Sequence, residues 1–202
     1  MYYGCIAASL FFAVVLIAAL VGLRYAKRMF SDFTDNKPMA FPQVTLSGPE
    51  IEALQQRLET FRGAVKQGQP TGPLTLTADE INALVATDPD MKDFKGKLYV
   101  LLEGDRLKAQ VSLPMADVGL PRFQGRYLNG TGTFDLVFQN GTLRLSPQSF
   151  VVKGKTLPEV YMERIRKKNF AAELNRDARA QAALEKLKEI KVADSKLQFV
   201  PK

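Results

Sequence analysis

The first 23 residues carry no charged side chain, and every aspartate and glutamate lies after residue 28. Within this stretch Cys5 to Leu23 forms an apolar run of 19 residues, interrupted only by Ser9 and Gly22. A helix of that length covers roughly 28 Å, close to the hydrocarbon thickness of a bilayer. The pattern therefore predicts a membrane-spanning helix at residues 5–23. A cleaved signal peptide would need a basic start, a shorter apolar core and a small-x-small cleavage site. Met1-Tyr-Tyr-Gly4 has no basic side chain and Leu23-Arg-Tyr25 supplies no such site, so the span reads as an uncleaved anchor.

Beyond the span the apolar positions become periodic. Ser47-Gly-Pro-Glu50 has the form of a capping box, and Ile51, Leu54, Leu58, Phe61 and Val65 follow at alternating spacings of 3 and 4, predicting an amphipathic helix that stops at Gly68. Thr77-Ala-Asp-Glu80 is a second capping box, opening a short helix that ends before Asp88-Pro89. From Lys97 the period drops from 3.6 to 2. Leu98, Val100 and Leu102 form one alternating set, and Leu107, Ala109, Val111 and Leu113 form another after Gly104-Asp105. Phe134, Leu136 and Phe138 lead to Asn140-Gly141, a strong hairpin dipeptide, with Leu143, Leu145, Phe150 and Val152 beyond it. Gly130-Thr-Gly132 reads as a bend entering the Phe134 strand. From Leu157-Pro158 to about Lys188 the chain is rich in helix formers and has no glycine or proline after Pro158, predicting one long helix with a bend or split near Asn169. Ile190-Lys-Val192 and Leu197-Gln-Phe199 read as closing strands.

The expected architecture is thus α+β: an N-terminal transmembrane helix, then an antiparallel β-meander of about four to five strands packed with amphipathic helices and one long C-terminal helix. The chain divides into an anchor with a basic collar at 1–28, a juxtamembrane linker at 29–46 marked by Pro38 and Pro42, and a single domain at 47–202.

Charge sharpens the membrane reading. Tyr2, Tyr3 and Tyr25 bracket the span as interfacial aromatics do, and Arg24, Lys27 and Arg28 form a collar suited to anionic head groups. Taking these three from the 28 basic side chains leaves 25 against 21 acidic ones, so the remainder is only mildly basic. The densest basic run, Arg164-Ile-Arg-Lys-Lys168, places Arg164, Arg166, Lys167 and Lys168 as further head-group candidates. Interspersed glutamates and the absence of an aromatic platform argue against nucleic acid.

The chemical inventory is narrow. There is no histidine, and the one cysteine, Cys5, lies in the apolar run, which removes a histidine-based triad, a Cys/His zinc site and an internal disulfide. Asp88, Asp90 and Asp93 crowd one loop, but counting from Asp88 puts Lys92 at position 5 and Tyr99 at position 12, against the calcium-loop pattern. Gly125-Arg-Tyr-Leu-Asn-Gly-Thr-Gly132 lacks the phosphate-binding spacings. Asn129-Gly-Thr131 and Asn140-Gly-Thr142 match the glycosylation acceptor but are simpler as turns. No catalytic, cofactor or metal residues are assigned, and the expectation is a non-enzymatic protein.

The stretches Leu74-Thr-Leu-Thr-Ala-Asp-Glu-Ile-Asn-Ala-Leu84, Val111-Ser-Leu-Pro114, Gly125-Arg-Tyr-Leu-Asn-Gly130, Gly154-Lys-Thr-Leu-Pro158 and Lys168-Asn-Phe-Ala171 resemble those of uncharacterised bacterial proteins with a single N-terminal anchor. The order of elements is more distantly similar to half of a tubular lipid-binding (TULIP-like) domain. The first resemblance implies an extracytoplasmic domain, whereas the positive-inside rule implies a cytoplasmic one. The second implies an apolar groove between sheet and long helix, lined by Phe134, Phe138, Leu143, Leu145 and Phe150, for a lipid or apolar ligand. The competing expectation is a solid-core interaction protein of an envelope complex. In either case the bilayer is met through residues 5–23, with a lipid or membrane-protein partner and no cofactor.

Overall fold

Both capping boxes form. In the computed structural model, which describes residue 24 and residues 31–116 and 124–202, the Ser47 N–H donates to the Glu50 carboxylate at 2.7 Å and starts helix α1 (Gly48–Gln67). Its stripe buries Leu54, Leu58 and Val65. Gly68, at φ 69°, ends the helix in the left-handed conformation that glycine adopts without a Cβ penalty. Thr77 and Glu80 exchange hydrogen bonds at 2.8 and 3.2 Å and open α2 (Ala78–Thr87).

The meander is a five-stranded antiparallel sheet in sequence order: β2 (Leu98–Glu103), β3 (Arg106–Pro114), β4 (Tyr127–Gln139), β5 (Thr142–Val152) and β6 (Lys155–Thr156). Asn140-Gly141 turns β4 into β5 with both residues at positive φ, the handedness that a twisted hairpin needs. The closing hairpin, β7 (Leu187–Ala193) and β8 (Lys196–Pro201), belongs to a separate three-stranded sheet. Its third member is β1 (Leu74–Thr77), which runs directly into α2.

Two expectations are corrected. The C-terminal helix does split around Asn169, but into three short helices rather than one long bent one, α3 (Glu159–Arg166), α4 (Ala172–Arg176) and α5 (Ala178–Leu184), and the chain is already strand at Leu187. Asn169 and Asn175 commit their amides to the edge of β5, as described below, and Asp177 accepts the N–H groups of Arg179 and Ala180 as the N-cap of α5. A capping aspartate in extended conformation cannot also continue the preceding helix. Gly130 and Gly132 are no bend either, but lie inside β4. A Cβ on Gly130 would sit 2.6 Å from the Val151 carbonyl and 2.7 Å from the Phe150 ring, and one on Gly132 2.7 Å from the Phe134 ring. The glycines are the space into which these rings fold.

Among the described residues three clusters of buried side chains stand out. α1, α2 and β1 enclose Leu54, Leu58, Leu74, Leu76, Ala83 and Leu84. Val65, Leu184, Leu187 and Ile190 pack against the far end of the β4–β5 hairpin. Phe150, Val152 and Met162 join β5 to α3, with Phe33 against them. The transmembrane helix expected at 5–23 lies outside the described residues, as do Lys27 and Arg28. Among the described residues no helix is long and apolar enough to cross a membrane.

Candidate functional site

The five residues expected to line a groove lie along the β4–β5 hairpin, where the Phe134 and Phe150 rings both lie over Gly132. Phe150 belongs to the cluster under α3, whereas Phe138 and Leu143 pack with Val65, Leu184, Leu187 and Ile190. Phe134 lies edge-on to Phe170 at 6.0 Å between ring centroids, and Leu145 is half-buried opposite Leu136. Two open depressions of about 530 Å³ each flank α1, one lined by Arg57, Phe61 and Pro73 among others, the second by Glu52, Glu59 and Asp88 among others. Neither includes any of the five.

What the chain builds instead is a sealed sheet. The outer edge of a terminal strand presents unpaired N–H and C=O groups that invite another strand. On β5 these groups are met one after another by the segment 157–176. Leu157 N–H donates to Phe150 O at 2.7 Å, an Arg166 Nη2 to Gln148 O at 3.0 Å, and Phe170 N–H to Leu145 O at 2.9 Å. The Asn169 amide oxygen accepts Leu145 N–H at 2.9 Å, and Asn175 accepts from and donates to Leu143 at 3.0 and 2.6 Å. On the opposite edge, Asn82 of α2 does the same to Val100 of β2, accepting its N–H at 2.7 Å and donating to its carbonyl at 2.8 Å. A primary amide carries a donor and an acceptor side by side, as a backbone strand residue does. Sequence reading missed Asn82, although an asparagine among Ile81, Ala83, Leu84 and Val85 was a visible anomaly.

The outward side of the segment that seals β5 is apolar and basic. Val160 is 60% exposed, Phe170 53%, Leu174 44% and Tyr161 37%. Lys167 and Lys168 are exposed beside them. Arg166 is not available in the same way, because its guanidinium grips both oxygens of Glu159. That contact holds the Glu159 carboxyl below the usual carboxylate range and raises the guanidinium. Of the other head-group candidates Arg24 is exposed, and the side chain of Arg164 lies outside what is described.

A second construction ties the preceding chain to the domain. Asp35 pairs with Tyr127, N–H to carbonyl at 2.8 Å in both directions, beside the part of β4 that β5 does not reach. Arg126 reaches the Thr34 hydroxyl at 2.6 Å and the Asn36 amide oxygen at 2.8 Å. Lys153 donates to Thr34 O at 2.6 Å and pairs with Asp35 at 2.9 Å, and Lys155 pairs with Asp32 at 2.9 Å. Beneath them Asn129 donates to Lys37 O at 2.8 Å, while its oxygen accepts the Ser112 hydroxyl at 2.8 Å and Met39 N–H at 3.2 Å. The exposed ion pairs are worth little in water, but Thr34, Ser112 and Asn129 are buried, Thr34 bonded to Arg126 and Lys153 and Ser112 to Asn129. The stretch read as linker is thus bound to the sheet over residues 31–39, and Asn129, one of the two acceptor-like asparagines, is spent inside it.

Among the described residues no three carboxylate or thiol groups converge as metal ligands would. No family model, no curated protein and no solved structure matches this chain.

Proposed function

We propose that this protein is a membrane-anchored, non-enzymatic interaction module, carried by a span at residues 5–23 and working through the outer surface of a filled domain. The observation that carries the reading is the packing of Phe138 and Leu143 against Val65, Leu184, Leu187 and Ile190, and of Phe150 against Val152 and Met162. A ligand groove needs its apolar side chains to face a common space, and here Phe138, Leu143 and Phe150 meet other protein side chains. Of the six large apolar residues exposed among the described residues, four, Val160, Tyr161, Phe170 and Leu174, lie on one segment at one sheet edge, which is where a surface contact would form.

Native mass spectrometry of the full-length protein released from detergent micelles tests this. Release with no lipid retained in stoichiometric amount is the expected result. A lipid that survives stripping and is lost in Phe138→Ala or Leu143→Ala would overturn the filled-core reading in favour of a lipid carrier. Recovery of the full-length chain in the aqueous fraction after carbonate extraction would overturn the anchor.

A further inference from the structure

The apolar and basic strip at the β5 edge turns outward from the domain. We propose that Val160, Tyr161, Phe170 and Leu174, with Lys167 and Lys168, form a membrane-resting face that seats the domain on anionic head groups. This rests on the anchored reading above. Three observations converge on it.

The first is the length of chain between the expected span and the domain. From Leu23 to Asp32, the first residue whose carboxylate is tied to the sheet, there are nine residue steps. Even fully extended they reach only about 32 Å, and as helix about 14 Å. Because residues 31–39 are fastened by Arg126, Asn129 and Lys153, the domain gains no further slack beyond that point. One end of it is therefore confined to the vicinity of the head-group layer.

The second is which end. Phe33 packs on Phe150, Val152 and Met162, and Met162 is the buried face of α3. The outward face of the same helix carries Val160 and Tyr161. The strip therefore starts beside the point where the chain enters the domain.

The third is composition. With Glu159 committed to Arg166, the remaining charges of 159–176 are Arg164, Lys167, Lys168 and Arg176 against Glu163 and Glu173, a surplus of two positive charges. Aromatic and aliphatic side chains interleaved with lysines suit the boundary between anionic head groups and acyl chains.

The test uses the full-length protein in nanodiscs, with Cys5→Ser removing the native thiol and a single environment-sensitive label at Val160→Cys or Leu174→Cys. Phe94→Cys is the control: Phe94 is 51% exposed and precedes β2, at the opposite edge of the sheet. Nitroxide lipid labelled near the head group should quench positions 160 and 174 about twofold or more over position 94. The difference should widen when phosphatidylglycerol is added to phosphatidylcholine, and shrink in Lys167→Glu/Lys168→Glu. Equal quenching at all three positions overturns the proposal while leaving the anchor intact. Shielding of 160 and 174 from aqueous iodide without lipid quenching also overturns it, and assigns the strip to a protein partner. Loss of the protein from the nanodisc fraction refutes the anchored reading itself.

Discussion

Replacing Asn82 with aspartate keeps the acceptor that receives Val100 N–H but exchanges the amide that donates to the Val100 carbonyl for a second oxygen. The position is only 4% exposed, so water replaces the lost donor poorly. An unsatisfied buried acceptor costs about 1–3 kcal/mol, and burying a carboxylate beside it adds to that, so about 3 kcal/mol or more should be lost at neutral pH. A protonated carboxyl, however, donates through its hydroxyl and accepts through its carbonyl, as the amide does. Folding therefore favours the protonated form, and the folded-state pKa of Asp at this position lies above the unfolded value of about 3.9. Stability is accordingly retained below the unfolded pKa and lost as pH rises through the folded one. Asn82→Ala, which orphans both Val100 groups, should cost about 2–4 kcal/mol with no such pH dependence. Urea unfolding of the full-length variants in detergent, followed by circular dichroism from about pH 3 to about pH 7 and referred to wild type at each pH, measures both. A deficit of Asn82→Asp that stays constant across this range, or an Asn82→Ala variant within about 0.5 kcal/mol of wild type, would refute the strand-mimic role.

Other consequences follow from the same contacts. Gly130→Ala places a Cβ 2.6 Å from the Val151 carbonyl, backbone that cannot step aside, and should lower stability by about 3 kcal/mol, read as a lower urea midpoint at unchanged slope. Asn129→Ala removes the centre of the polar layer under residues 31–39 and should cost about 2 kcal/mol. Hydrogen exchange should then quicken at Asp35 and Met39 before it quickens in β3, and uniform quickening would argue against a separable clamp. The Ser47 hydrogen bonds hold the Glu50 carboxyl below its ordinary value, so their stabilisation is present above the unfolded pKa and lost as pH falls through the folded one. Glu50→Gln should lower the neutral plateau of the stability curve towards its acid value and so flatten the acid limb, whereas identical curves would refute a contribution from the Ser47–Glu50 contacts.

Local signals in the chain were legible because they are local in physics. Ser47 with Glu50, Thr77 with Glu80, and Asn140 with Gly141 act across a few residues, and no distant partner overrides them. The two-residue period from Leu98 onward likewise announced strands, since alternation is what a sheet with unlike faces requires. The misread segments share the opposite property. Helix propensity favoured one long helix after Pro158, bent or split only near Asn169; the chain breaks there and again at Asp177, because Asn169 and Asn175 gain more from the bare edge of β5 than from continuing the helix, and that edge is remote in sequence. Gly130 and Gly132 resemble turn residues until the Phe150 ring is seen lying across one of them and the Phe134 ring across the other.

By itself, then, the sequence determined the class of molecule: an apolar run long enough to span a bilayer, a mixed domain with a sequential meander, and a residue inventory without histidine or a second thiol. Only the tertiary structure decided what the domain offers. Alternation reports which residues face inward but not what they meet there; the structure sets Phe138 and Leu143 against Leu184, Leu187 and Ile190, and Phe150 against Met162. An exposed strip at a sheet edge, by contrast, arises because the segment sealing that edge must spend its polar groups inward and turn part of its apolar side outward.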